Sequence, residues 1–230
     1  MLFVPLILLV LSIGLSRFAL MRFEQAMALG SRHRMPSAQT AEEAVREFLE
    51  ANGVEDVRIV EHTAMVSDYY DPTRRTLFLN RSTMLGTSAA AWAVALHEAA
   101  HALQEGDARK ALEWRHGNVR LARYAPTLIG LLCAALAFSG RMHVRNALLI
   151  CAVLCALIMA FSLMSMPVET NASQRVQAWM EEKLRKHHAL LEVFTKLLER
   201  VAWRDTGALA RSPLYVLFGL LPVGGKLRPR

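Results

Sequence analysis

Between Asn146 and Met166 the chain carries no charged residue, and between Ala125 and Ser139 it carries none either. In lipid, every backbone N–H and C=O of such a run needs an internal partner, and a helix supplies it. The two runs therefore read as an antiparallel transmembrane hairpin joined by Gly140-Arg141-Met142-His143-Val144-Arg145. The first is short for a span and begins near Tyr124. A third apolar run opens the chain, from Leu2 to about Leu20. It does not follow the signal-peptide pattern, because no Lys or Arg precedes it, no small-x-small cleavage site ends it, and Arg17, Arg22, Arg32 and Arg34 come at its end or after it. It reads as a retained span with Arg17 snorkelling to the interface. The last run, Leu214 to Val223, is too short to span alone and is followed by Lys226, Arg228 and Arg230. That leaves open a fourth span or an interfacial segment.

The composition, 53% apolar and 20% charged, excludes a disordered chain. A net charge of +7 suits either nucleic acid or the basic flanks of a membrane protein. Basic and aromatic residues do not interleave as they do where bases stack, so no nucleic-acid partner is expected. The positive-inside rule instead assigns the basic stretches 22–34 and 174–204 to the cytoplasm and the N-terminus to the outside. Arg141 and Arg145 in the outer connector are outweighed by those larger blocks. Cys133, Cys151 and Cys155 all lie in apolar runs and read as small packing residues of membrane helices. They do not form a disulfide framework.

The remaining polar sequence is α+β, mostly α. Residues 1–21 are the first span, 22–40 a linker, and 41–123 a metal-binding unit. Residues 124–166 are the hairpin, 167–207 a segment with basic helices, and 208–230 the C-terminal run and tail. Thr40 with Glu43 makes a capping box for a helix from Ala41 to Ala51, and Asn52-Gly53 ends it. Val57–His62 alternates like a strand, Asp68 to Arg75 is turn-rich, and Thr76–Asn80 is a second short strand. The two strands read as a hairpin or part of a small sheet. An apolar helix follows from Ala89 to Glu105, stopped by Gly106, and then a basic one from Ala108 to Arg123.

Inside that apolar helix stands His97-Glu98-Ala99-Ala100-His101. Two histidines four apart project from one helix face about one turn apart, a spacing that suits two zinc–nitrogen bonds of about 2.0–2.1 Å. Glu98, beside them, reaches a metal-held water as general base, and the metal brings that water's pKa to about 7. Three ionisable groups in an Ala/Leu/Val helix need partners, and a metal supplies them.

A catalytic zinc site takes a third protein ligand and leaves one position open. Asp107 lies at an offset used in one class of zinc proteases, although Gln104 stands where that class has a glycine turn; Gly106 would be a displaced turn. Glu105 and His116 are weaker candidates. Glu169 is the strongest, because it is the first charge after a charge-free span and a carboxylate there is costly unless paired.

These residues resemble the YugP-like neutral zinc metallopeptidases of bacterial membranes. The resemblance covers most of the chain. It rests on the N-terminal span, Asp68-Tyr69-Tyr70-Asp71-Pro72, Leu77-Phe78-Leu79, His97 to Gln104, and Pro167-Val168-Glu169-Thr170-Asn171-Ala172-Ser173 after a hairpin. The order also resembles the wider gluzincin class, including membrane proteases of the HtpX and CAAX-prenyl type, whose third ligand is a Glu in a Glu-x-x-Ala pattern. Glu169-Thr170-Asn171-Ala172 fits it. The resemblance implies zinc held by His97, His101 and Glu169, with Glu98 as base, in a zincin-like unit at the bacterial inner membrane. Two residues depart from the pattern: Ala100 replaces a usual Gly, and Asn171 a usual Asp. If that Asp orients a ligand histidine, Asn171 reduces zinc affinity.

Thr76–Asn80 is expected to be an edge strand able to bind an extended peptide, or simply a sheet edge. Tyr69 or Tyr70 is a candidate oxyanion group, and Asp68 and Asp71 read as turn formers. The expectation is an integral membrane zinc metalloprotease with three or four transmembrane helices and a catalytic unit on the cytoplasmic side. Its substrate is a protein or peptide at the membrane, and its basic helices lie against membrane lipids. The competing class is a non-catalytic adaptor that keeps a structural zinc site. A metal transporter is weaker, because the spans carry no ionisable groups in their middle.

Overall fold

A computed structural model describes residues 3–62 and 67–220. Leu2, Val223 and the basic tail lie outside the described residues. The contacts divide the chain into two compact units. One takes the described residues of Met1–Met21, Gly117–Ser165 and Arg204–Pro222, and the other those of Arg22–His116 and Met166–Trp203.

The second unit is built round one helix. Its elements include α2 (Ala41–Ala51), β1 (Arg58–His62), β2 (Tyr69–Asp71), β3 (Thr76–Asn80), the short α3 (Arg81–Met84) and α4 (Ala89–Ala100), with α7 (Met166–Lys183) and α8 (His188–Ala202) later in the chain. Helix α4 is apolar all round, and α2, α7 and α8 pack against it. A helix of that kind belongs in a core, and its alanines let neighbours come close. Trp92, Ala93, Leu96 and Ala99 of α4 meet Phe48 and Leu49 of α2, Leu77 and Leu79 of β3, Val176 and Met180 of α7, and Phe194 and Leu198 of α8 in one core. Thr40 caps α2 as expected: its hydroxyl accepts from Glu43 N–H at 3.3 Å and Glu43 Oε2 accepts from Thr40 N–H at 2.7 Å. Trp92 Nε1 donates to Gln39 O at 3.1 Å, and Lys183, paired with Glu47, lies 4.7 Å from the Trp179 ring centre.

The other unit holds residues of α1 (Phe3–Gly30), α5 (Gly106–Phe138), α6 (Val144–Met164) and α9 (Ala208–Leu220). Many of its large apolar side chains are exposed, among them Leu131, Phe138 and Leu157, while Ser12, Ser16, Ser162 and Ser212 are buried together with Leu20, Ile158 and Met159. Ser16 Oγ accepts from Ala210 N–H at 3.0 Å, satisfying a donor in the first turn of α9. Pro126 interrupts the hydrogen-bond ladder of α5, and there Thr127 and Ser212 hydroxyls meet at 2.8 Å. Among the described residues three helices are long and apolar enough to cross a membrane: Phe3–Gly30, Gly106–Phe138, and the stretch Val144–Lys183 that contains α6 and α7.

Several expectations change. Helix α1 runs on to Gly30 rather than ending near Leu20, so the polar residues 22–30 are helical. The metal-motif helix ends at Ala100 and tightens into a 3₁₀ turn over His101–Leu103, so the motif sits at the helix end and not in its middle. The two helices expected at 108–123 and 125–139 are one, α5, with Pro126 inside it. The two expected strands, β1 and β3, are not a hairpin but parallel neighbours in a small sheet; the hairpin is made by β2 and β3. The order is β1-β3-β2, with β1 parallel and β2 antiparallel to β3. Thr76–Asn80 is therefore the central strand and not an edge, because the turn-rich segment contributes a strand of its own on its far side.

Candidate metal centre

Helix α4 brings His97 and its C-terminal end brings His101. The first turn of α7 brings Glu169. One ligand atom from each of the three lies within 4.8 Å of the others, and all three residues are buried. Of the candidates for a third partner, Glu169 joins the histidines. Asp107 points to solvent, with 98% of its side chain exposed, in a pair with Lys110. Glu105 is exposed, and His116 turns toward Asp71 at 3.8 Å.

The hydrogen-bond network settles which atoms face the centre. Gln104 Nε2 donates to the Val168 carbonyl at 2.7 Å, and a carbonyl only accepts, so Gln104 Oε1 is the atom 3.0 Å from His101 Nδ1. His101 Nδ1 therefore carries a proton, and Nε2 is left with a lone pair. The same logic holds for His97. Ser173 Oγ donates to the Leu198 carbonyl at 3.1 Å, so it accepts from His97 Nδ1 at 2.9 Å. In the neutral ring His97 Nε2 is then bare as well. It stands 3.0 Å from Glu169 Oε2, while His101 Nε2 stands 3.7 Å from Glu169 Oε1. Two imidazole Nε2 atoms and a carboxylate thus converge in the protein interior.

His101 Nε2 and Glu169 Oε1 are buried and make no hydrogen bond. A buried polar atom left unmatched, as His101 Nε2 is, costs about 1–3 kcal/mol. Burial pushes the His101 ring down from the ordinary histidine range, against the upward pull of Glu169, and so favours the neutral form that a metal ligates. A donor set of two imidazole nitrogens and a carboxylate is one that zinc accepts. The residues present fit that ion.

Arg115, from α5, places Nη1 2.9 Å from Glu169 Oε1. Because Oε1 has no aligned donor, this contact is an ion pair and leaves a lone pair in place. Glu98 is buried but does not join the cluster. Its Oε2 accepts from Tyr70 N–H of β2 at 3.2 Å. The Tyr70 backbone thus meets Glu98; the Tyr70 phenol is buried, and burial pushes its pKa up. The Tyr69 ring stacks on Phe78 at 4.9 Å. Asp71 is the turn former expected, accepting from Thr73 and Arg74 N–H at 2.9 and 3.1 Å. Asp68 accepts instead from Asn80 N–H at 2.5 Å and the Thr83 hydroxyl at 2.8 Å, tying down the start of α3.

Asn171 does not touch a histidine. Its Oδ1 accepts from Gln104 Nε2 at 3.2 Å and Arg175 Nε at 3.1 Å, one step removed from His101. Ala100 is fully buried in the core, so its methyl group is accommodated. Sequence reasoning missed Gln104, Ser173 and Arg115. A pattern pointed to the first two: Gln104 lies three residues beyond His101, and Ser173 four beyond Glu169, spacings that share a helix face.

A family model described as "Putative neutral zinc metallopeptidase" matches residues 5–206. The chain belongs to this family. It is also 33% identical over 168 residues to "Putative membrane protease YugP" of Bacillus subtilis (strain 168), covering 72% of each chain. No solved structure matches. The family's description names zinc, and the buried His/His/Glu cluster is a group that could hold a metal ion.

Proposed function

We propose that this chain is a membrane-embedded zinc metalloprotease that hydrolyses peptide bonds of membrane or membrane-proximal proteins. The observation that carries the reading is the convergence of His97 Nε2, His101 Nε2 and the Glu169 carboxylate, with both Nδ1 atoms already committed to Ser173 and Gln104. His97, His101 and Glu169 hold the ion. A zinc ion in such a donor set acidifies a water to a pKa of about 7 and polarises a carbonyl.

The chain's own residues do the rest. The Tyr70 N–H fixes one oxygen of Glu98 and so orients its carboxylate. Glu98 takes a proton from the attacking water as the water oxygen bonds to the scissile carbonyl carbon. It returns that proton to the leaving amine as the C–N bond breaks. Ser173 and Gln104 lock the histidine tautomers throughout. The competing adaptor reading gives Glu98 no task, since a structural site has no use for a base.

The deciding experiment compares purified wild type with Glu98→Gln and His97→Ala on an unfolded casein-like substrate and on membrane fractions. Glu98→Gln should keep wild-type zinc content while turnover falls about 10²–10⁴-fold, the range for losing a general base. His97→Ala should lose both. Wild type that holds zinc and cleaves nothing that Glu98→Gln spares supports the adaptor. The basic stretches 22–34 and 174–204 are proposed to lie on the cytoplasmic side, against the anionic inner leaflet. A cysteine placed at Gln177 should then resist a membrane-impermeant thiol reagent in intact cells, and labelling there inverts the topology.

A further inference from the structure

We propose that Arg115 is a positioning residue of this centre, acting through Glu169; the proposal rests on the reading of Glu169 as a ligand. Arg115 Nη1 lies 2.9 Å from Glu169 Oε1, and the Arg115 side chain is only 13% exposed and that of Glu169 only 2%. Two charges taken from water are costly alone, and their attraction at this distance offsets part of that cost even without an aligned N–H on Oε1. A guanidinium cannot give up its proton, so the positive charge beside the cluster is permanent. Its contact divides the carboxylate: Oε1 faces the cation, while Oε2 stays 3.0 Å from His97 Nε2. Glu169 is thereby held in one rotation about its carboxyl axis.

The turn of α5 that carries Arg115 reaches both walls of the site. His116, the next residue, places Nε2 3.8 Å from Asp71 Oδ1. Asp71 follows Tyr70, whose N–H holds Glu98. Asp71 is itself held by the Thr73 hydroxyl at 2.6 Å and by two backbone N–H groups. This one helical turn therefore lies beside both the strand that orients the base and the helix that carries the carboxylate ligand. The nearby Arg109 is different, for it is 48% exposed and pairs along its own helix with Glu113.

The test uses the full chain in detergent. Zinc affinity is read by competition with a chromogenic chelator, peptide turnover as separate kcat and KM, and folding by circular dichroism and thermal midpoint. Arg115→Met keeps the apolar stem and removes the charge and fork. It is expected to weaken zinc binding about 10–100-fold, the range for losing a partner of a metal ligand, and to lower kcat. Arg115→Lys restores the charge without the planar fork and should recover part of the loss. Arg109→Met should match wild type. A merely structural ion pair would lower the thermal midpoint and leave the zinc affinity of the folded protein alone, and that result overturns the proposal. So does an Arg115→Met chain with wild-type zinc affinity and turnover. If Arg115→Met does not fold, Arg115→Lys decides: weaker zinc binding in a folded chain supports the role, and wild-type values remove it. Wild type that binds no zinc overturns the ligand reading itself, whereas active wild type with indifferent Arg115 variants overturns this inference alone.

Discussion

The two units differ in what they leave exposed. In the unit of α4, Trp92, Phe48, Phe194 and Leu77 are almost wholly buried, and the helices show charges outward. In the unit holding residues of α1, α5, α6 and α9, Phe138, Leu131 and Leu157 are 97%, 61% and 63% exposed, while Ser12, Ser16, Ser162 and Ser212 are buried. Water drives apolar side chains inward because burying them releases hydration free energy. Lipid tails are as apolar as leucine and supply no such drive. Helices there associate through small residues and through hydroxyls that satisfy stray backbone groups, as Ser16 does for Ala210 N–H. The metal cluster sits in the unit with the water-type core. There the surrounding apolar packing strengthens each polar contact and makes each unmatched one expensive.

Truncating one leucine in each unit tests that contrast most strongly. Leu77→Ala removes a fully buried side chain from the central strand, and should cost about 2–5 kcal/mol of stability. Leu131→Ala trims a side chain that faces outward from α5, and should cost less than about 0.5 kcal/mol. Thermal unfolding in detergent reads both. Equal losses would mean that the Leu131 face packs against protein, and the contrast between the units would fall.

The next effect lies inside the metal cluster. Ser173→Ala and Gln104→Leu each remove the group that keeps a histidine Nδ1 protonated, so either ring is free to present the wrong nitrogen. Zinc affinity should fall about 10–100-fold in each, with the thermal midpoint of the apolar unit unmoved. Affinity unchanged in both variants would show that the rings are oriented by packing alone.

What was legible in the sequence was what is local and periodic. The His97–His101 spacing, the Thr40–Glu43 box and the charge-free runs each declare themselves within one or two turns of chain. Glu169 stood out because a charge beside a span is costly. The order of the strands was not legible: alternation in Val57–His62 and the short apolar run Thr76–Asn80 mark strands but say nothing of their neighbours, and β2 was hidden in residues that also favour turns. The end of α4 at Ala100 was hidden too, because Ala102 and Leu103 continue the helical composition into the 3₁₀ turn. Arg115 had no local mark to separate it from Arg109 or Arg120. Its role depends on α7 coming alongside, and that is decided by packing between segments far apart in the chain.

Asn171 offers the smallest effect and the finest probe of how far orientation of the ligands extends. The usual Asp would be expected to matter if it touched a histidine. Here the residue acts only through its Oδ1, which accepts from Gln104 and Arg175. Asparagine and aspartate present that oxygen in the same place. Gln104, moreover, is already fixed by its 2.7 Å bond to the Val168 carbonyl. Asn171→Asp should therefore change zinc affinity by no more than about fivefold, since a partly exposed charge added beside Arg175 contributes about 0.2–1 kcal/mol. The direction should be toward tighter binding, because a negative charge makes Oδ1 a stronger acceptor and holds Gln104 more firmly. The same chelator competition measures it. A gain of tenfold or more would place residue 171 in direct control of His101, and the chain from Asn171 through Gln104 to the ring would have to be redrawn.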